Sequence, residues 1–189
     1  MKTILVTGAN GLIAKTLIPQ LEELGFEVLK LSRKKYKKPD WFYWNIDEAF
    51  IEQQAILRAD YIIHLAGTGI AEKRWSDKQK KKIRDSRILS TNLLYHKCLE
   101  LKTDLSAFIT MSGVGYYGTT TSEKIFDESD RPGDDFLARL CNKWETVSQR
   151  FETLPSRVVI LRSGVVLASN GGAFMKLIMP IDLGFGSPL

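Results

Sequence analysis

Apolar and polar positions alternate along the chain in a way that predicts strands and helices in turn. Thr3-Ile4-Leu5-Val6-Thr7 reads as a short buried strand. Gly8 to Gly11 reads as a turn, and Leu12, Ile13, Leu17, Leu21 and Leu24 recur with helical spacing up to Gly25, a residue that commonly ends helices. Glu27 to Leu31 predicts a second strand, Trp41 to Trp44 a third, Asp47 to Leu57 a short helix, and Asp60 to Leu65 a further strand running into Ala66-Gly67. Ser76-Asp77-Lys78-Gln79 has the capping-box pattern, so a long helix starts there, with Ile83, Leu89, Leu93, Leu94 and Leu101 on its apolar side. Ser106 to Met111 predicts a strand, and Gly113 to Pro132 a loop. Leu137, Leu140, Trp144, Val147 and Phe151 mark the clearest helix, with Asp134 and Asp135 at its start, where the dipole favours acid. Arg157 to Leu161 predicts the last strand of the series, before an apolar, glycine-containing tail from Gly171. Because the strands are near-continuous β-branched and leucine runs, both their faces are covered. The expected fold is therefore α/β, a doubly wound parallel sheet of Rossmann-like type.

Composition agrees with that fold. The 189 residues are 44% apolar and 26% charged, ordinary values for a globular chain of single-domain length. No apolar run approaches the ~18 residues of a membrane span, and the apolar stretch at the start is too short for a signal peptide. The two cysteines, Cys98 and Cys141, have neither pairing nor metal spacing, and His64 and His96 add no metal cluster. A cytoplasmic location with reduced thiols is expected, with no metal. The net charge of +5 comes mostly from Arg33 to Lys38 and Lys78 to Lys82. Such clusters neutralise phosphates in nucleic-acid binders, but no recognition motif accompanies them, so no nucleic-acid partner is expected.

The candidate chemistry starts in the first turn. Gly8-Ala9-Asn10-Gly11-Leu12-Ile13-Ala14 has the form Gly-x-x-Gly-x-x-Ala, a spacing variant of the dinucleotide fingerprint, between a strand and a helix. Gly8 permits the tight turn, Gly11 lets a pyrophosphate approach the helix N-terminus, and Ala14 lets the helix lie close to the sheet. Gly8, Asn10, Gly11, Leu12 and Ile13 are the expected contacts. The end of the second strand selects the cofactor. An NAD site places an acid there for the ribose 2′-hydroxyl. Here Leu31-Ser32-Arg33-Lys34 has no acid between Val28 and Pro39, so Ser32 and Arg33 are expected to hold the 2′-phosphate of NADP. Asn45 or Asp47 could contact adenine by position. His64 reads as a hydrogen-bonded core histidine, Cys141 has nothing nearby in sequence to activate it, and Trp41, Trp44 and Trp75 read equally as packing or function.

Several motifs carry a resemblance. Thr7-Gly8-x-x-Gly11-x-x-Ala14, His64-Leu65-Ala66-Gly67 and Leu161-Arg162-Ser163-Gly164-Val165-Val166-Leu167 resemble the extended, epimerase-like short-chain dehydrogenases/reductases. Gly67 to Trp75, Asp85-Ser86-Arg87, Ser112 to Gly118 and Gly133 to Ala138 narrow the likeness to an atypical epimerase family. Some of its members are labelled epimerase family protein or cell-division inhibitor. The resemblance spans the chain. It implies an NADP-binding Rossmann fold with Ala66 and Gly67 beside the cofactor's ribose, and Ser112 with Tyr116 or Tyr117 near the nicotinamide. The implied function is an NADP-dependent oxidoreductase or epimerase acting on an unknown small molecule, such as a nucleotide sugar or another carbonyl or hydroxyl compound.

The chain departs from that pattern at the acid–base pair. Enzymes of the superfamily generally use Tyr-x-x-x-Lys, and no tyrosine here has lysine four residues on. The equivalent helix starts at Phe136, with Leu140 four residues later, and Ser112 stands one residue before the usual serine or threonine position, which holds Gly113. Ser112, Tyr116 and Tyr117 are the candidates to move protons in their place. The alternative is a non-catalytic NADP(H)-binding regulatory protein. A second departure is the end at Leu189, short of the smaller C-terminal region of related proteins. The expected division is a dinucleotide-binding domain over 1–170 and the start of a truncated substrate region over 171–189. The cleft would then be open on one side. Phe174, Leu177, Ile178, Met179 and Ile181 would be exposed, disordered or buried in another copy, and weak self-association is expected.

Overall fold

The computed structural model describes residues 1–71, 73–119, 123–168 and, in the tail, 171, 172, 174, 178, 181, 182 and 184. Glu72, within the Gly67 to Trp75 motif, and Leu177, Met179 and Leu189 lie outside the described residues. The strands are β1 (Thr3–Thr7), β2 (Glu27–Ser32), β3 (Trp41–Asn45), β4 (Phe50–Ile51), β5 (Tyr61–His64), β6 (Ala107–Gly113), β7 (Arg157–Ser163) and β8 (Leu167–Ala168). The α-helices are α1 (Leu12–Glu23), α2 (Gln53–Leu57), α3 (Asp77–Glu100) and α4 (Phe136–Gln149). Seven strands form one sheet in the order β4-β3-β2-β1-β5-β6-β7. Every pairing is parallel except β3 with β4. That is the doubly wound Rossmann-like order with one short antiparallel strand added at an edge.

Alternating residues of β1 feed two cores. Ile4 and Val6 pack with Ala14 and Ile18 of α1, while Leu5 joins Leu29, Leu31, Leu93, Leu94, Phe108 and Phe151 on the opposite face. Phe151 follows α4 in a 3-10 turn and stacks flat on Phe108, ring centroids 3.7 Å apart. The chain crosses from the β2–β3 half to β5 beside β1, so the C-terminal ends of β1 and β5 flank the topological switch point.

The expected helix over 47–57 is corrected. Only Gln53–Leu57 is helical. The Asn45 side chain accepts the N–H groups of Asp47 and Glu48, Ala49 takes φ +50°, and Phe50–Ile51 turns back to pair with β3. An asparagine-led turn, which competes with helix for these backbone groups, won locally. The long helix begins as expected, with Ser76 Oγ accepting the Gln79 N–H at 3.3 Å. Asp135 caps α4 by accepting from Ala138 N–H at 2.9 Å. Leu167 and Ala168 make antiparallel bridges to Gly172 and Gly171, on either side of the expected boundary near 170. Phe174 and Ile178 are half-buried and Ile181 is exposed.

Candidate functional site

The turn after β1 is built around a backbone crossing. Gly8 has φ +68°, and a Cβ placed there would stand 2.8 Å from the Leu65 carbonyl carbon and 2.9 Å from Ala66 N. The end of β5 therefore presses on this turn and only glycine fits. Gly11 N–H donates to Gly8 O at 2.8 Å and no side chain caps α1. The first helical bond runs from Lys15 N–H to Gly11 O at 3.1 Å, so the N–H groups of Leu12, Ile13 and Ala14 precede the ladder. Donors without acceptors at the positive end of a helix, behind a glycine that leaves room for close approach, suit a phosphate.

His64 fixes this crossing from behind. It is fully buried at the end of β5. Thr7 Oγ1 accepts the N–H groups of Leu65 and Ala66 at 3.2 and 3.1 Å, so its own proton goes to His64 Nδ1 at 2.7 Å. Nε2–H then donates to Ser90 Oγ at 3.0 Å, and that hydroxyl donates to Ser86 O at 2.7 Å. The network assigns the neutral Nε2–H tautomer. Burial, with the Arg87 charge adding to it, pulls the imidazole pKa down to about 3. His64 is thus a structural tie between β1, β5 and α3, as its place in the strand suggested.

Two adjoining cavities open at the switch point. One, of about 280 Å³, is lined by Gly8, Asn10, Gly11, Ser32, Arg33 and Ala66, with Gly67 and Trp44 at its side. The other, of about 420 Å³, continues past Arg33 and Trp44 to Asn45, Asp47, Lys82 and Asp85. The sequence-predicted residues Gly8, Asn10, Gly11, Ser32, Arg33, Ala66 and Gly67 therefore share one cleft. Leu12 and Ile13 do not line it; they follow the lining residue Gly11 as the first residues of α1. Ser32 is buried and its Oγ accepts from Lys34 N–H at 3.0 Å, which leaves the hydroxyl proton to donate. Arg33 is exposed, and no carboxylate pairs with it among the described residues. Asp40, the nearest acid after the basic stretch, is held by Lys30 at 2.8 Å. Asn10 donates to the Tyr36 hydroxyl at 3.5 Å, and Tyr36 packs on Trp41, so an aromatic residue missed by the sequence reading supports one of the lining side chains.

Ser112, Tyr116 and Tyr117 gather around a different centre, which sequence reasoning did not identify. Glu145 of α4 and Arg162 of β7 form a bidentate ion pair, Nε to Oε1 at 3.0 Å and Nη2 to Oε2 at 2.8 Å. Ser112 donates to Glu145 Oε1 at 2.5 Å. The Arg162 guanidinium lies 3.6 Å from the centroid of the Tyr116 ring and donates to the Tyr117 hydroxyl at 2.9 Å. Tyr117 in turn donates to Asp127 O at 2.9 Å. The bond to Glu145, opposed by burial and supported by the Tyr117 contact, holds the Arg162 pKa above its ordinary value. Phe136 opens α4 with its ring edge on Trp75, and Leu140 is buried, so neither can transfer a proton. Cys141 is buried and its thiol pKa is raised by that burial. Among the described residues no group of three His, Cys, Asp or Glu side chains could hold a metal, and no helix is long and apolar enough to cross a membrane.

Known proteins resemble this chain over most of its length. The model of the "NAD dependent epimerase/dehydratase family" matches residues 4–172. An epimerase family protein of Mycobacterium bovis is 33% identical over 186 residues, covering 98% of this chain and 61% of that protein. The human epimerase family protein SDR39U1 has a crystal structure with NADPH. It superposes with a TM-score of 0.82 at 32% identity and covers 98% of this chain and 61% of its own. A nucleoside-diphosphate sugar epimerase of Corynebacterium glutamicum superposes with a TM-score of 0.83 at 33% identity, covering 96% of this chain and 38% of its own. UDP-glucuronic acid 4-epimerase of Bacillus cereus, at 20% identity and a TM-score of 0.75, shares the fold. The chain thus spans about 61% of the length of the first of these relatives.

Proposed function

The chain belongs to the NAD-dependent epimerase/dehydratase family, and from that membership we propose that it binds NADP(H) and serves an oxidoreductase or epimerase reaction on a small molecule. The observation that carries the reading is the cleft itself. The crowded Gly8 turn, the uncapped start of α1, buried Ser32 and unpaired Arg33 line one space, with no carboxylate where NAD would need one. The Leu12 and Ile13 N–H groups would hold the pyrophosphate. The Ser32 hydroxyl and the Arg33 guanidinium would hold the 2′-phosphate, and Asn45 and Asp47 would border the adenine. When bound, the cofactor supplies hydride chemistry at its nicotinamide. The NADPH in the human relative supports the phosphate choice.

Competition binding tests this. 2′,5′-ADP should compete for the cleft at least about tenfold better than 5′-AMP, because charge-assisted bonds to the extra phosphate contribute ~1.5–3 kcal/mol. Equal competition would contradict the reading.

One observation favours a second reading, a non-catalytic NADP(H)-binding regulatory protein. The hydroxyl protons of Ser112 and Tyr117 are already donated to Glu145 and Asp127, and Phe136 and Leu140 stand where an acid–base pair is usual. If catalysis does run through the tyrosines, a Tyr116→Phe, Tyr117→Phe double variant loses turnover while keeping NADPH. Full turnover in that variant would exclude them.

A further inference from the structure

Arg87, on α3, is only 8% exposed and no carboxylate faces it among the described residues. Nearby acids are engaged elsewhere: Asp85 by Lys81 and Arg84, Glu145 by Arg162 and Ser112. A guanidinium carries five N–H donors. Nη1 uses its two on the carbonyls of Thr68 and Ile83, at 3.0 and 3.1 Å. The Nε–H and both Nη2 protons have no acceptor among the described residues, and neither nitrogen is sealed from solvent. That unmet edge is the fork that fits a carboxylate or phosphate in bidentate fashion.

The surroundings place this fork between the cleft and α4. A Cβ on Gly67 would come within 3.0 Å of the guanidinium carbon and 3.2 Å of Nη2, so glycine at 67 makes room for the charge. On another side Trp144 of α4 lies with its ring centroid 5.2 Å from the guanidinium. Its buried indole N–H also has no acceptor among the described residues. Gly67, Thr68 and Ser86 line the cleft, and Arg87 lies directly behind them, bonded to Thr68 O and against Gly67. A buried cation without a partner is costly, and an anion arriving at this edge would relieve it.

Resting on the NADP(H)-binding reading, we propose that the Nε–Nη2 edge of Arg87 binds an oxyanion of the substrate, a carboxylate or a phosphate, beside the cofactor. The substrate class is then an anionic small molecule.

Calorimetric titration with malonate and with inorganic phosphate, on free and NADPH-loaded protein, tests this. At least one anion binds the loaded wild type, and which one identifies the group. Arg87→Met weakens it by about tenfold or more, Arg87→Lys lies between, and NADPH affinity moves by less than about threefold. NADPH binding is read separately, so its failure marks the cofactor reading and not this one. In the wild type, the NMR signal of the Arg87 Nε–H shifts on anion addition, a readout independent of whether the variants fold. The proposal is overturned if neither anion binds, if Arg87→Met binds it equally well, if that variant loses NADPH to the same degree, or if the Nε–H signal stays still.

Discussion

At Gly8 two demands meet in one residue: a left-handed φ of +68° and the backbone of Leu65–Ala66 within 2.9 Å of any added Cβ. Gly8→Ala should therefore destabilise the fold by about 2 kcal/mol or more, read by urea unfolding, and weaken cofactor binding in parallel. A variant as stable as the parent would show that the turn has slack. Glycine patterns announce such positions, which is why this half of the site was legible in the sequence. Arg87, Glu145 and Arg162 were not recognised there. Arg87 and Arg162 stood inside motifs, but a side chain's role as an unpaired cation or half of an ion pair depends on partners distant in the chain. Ser112 and Tyr117 show the same limit. Their types suited proton transfer, yet their hydroxyls are committed to Glu145 and Asp127.

Between elements, two polar ties hold the layers. The Glu145–Arg162 pair joins α4 to β7 and, through Ser112 and the Tyr116–Tyr117 turn, to the end of β6. Glu145→Ala leaves a largely buried guanidinium unpaired and should cost about 3 kcal/mol or more in urea unfolding. A loss under about 1 kcal/mol would mean solvent reaches the charge freely. The second tie is His64. Its folded pKa of about 3 lies below the ordinary 6.5, so the unfolded chain takes the proton first as pH falls. Above about pH 6.5 the group contributes no slope. Between 6.5 and 3 it removes stability with falling pH, by at most about 1.4 kcal/mol per unit. Wild type should therefore lose stability faster than His64→Gln between pH 7 and pH 5. Equal slopes would contradict a buried neutral imidazole. Most elements were legible because apolar spacing and the Ser76 and Asp135 caps agreed with tertiary packing. The 47–57 segment was not, because the Asn45 turn overrides its helical spacing.

For the whole molecule, the doubly wound order brings three distant stretches to one crevice: the Gly8 turn, the Ser32–Arg33 end of β2 and the Ala66–Gly67 end of β5. Each was readable as a local motif, and the parallel sheet that assembles them followed from alternating strands and helices. The Tyr36 contact with Asn10 and the buried Arg87 behind Gly67 needed the tertiary structure. Within the basic stretch 33–38, Arg33 lines both cavities and has no carboxylate partner among the described residues. Trp44 lines both cavities, so its fluorescence reports on their occupancy. The most direct measurement is a fluorescence titration with NADPH and with NADH, on wild type and on Arg33→Ala. NADPH should bind wild type about tenfold or more tightly than NADH, and Arg33→Ala should erase most of that preference with NADH affinity unchanged. Equal affinities in wild type, or a preference that survives the loss of Arg33, would contradict the account.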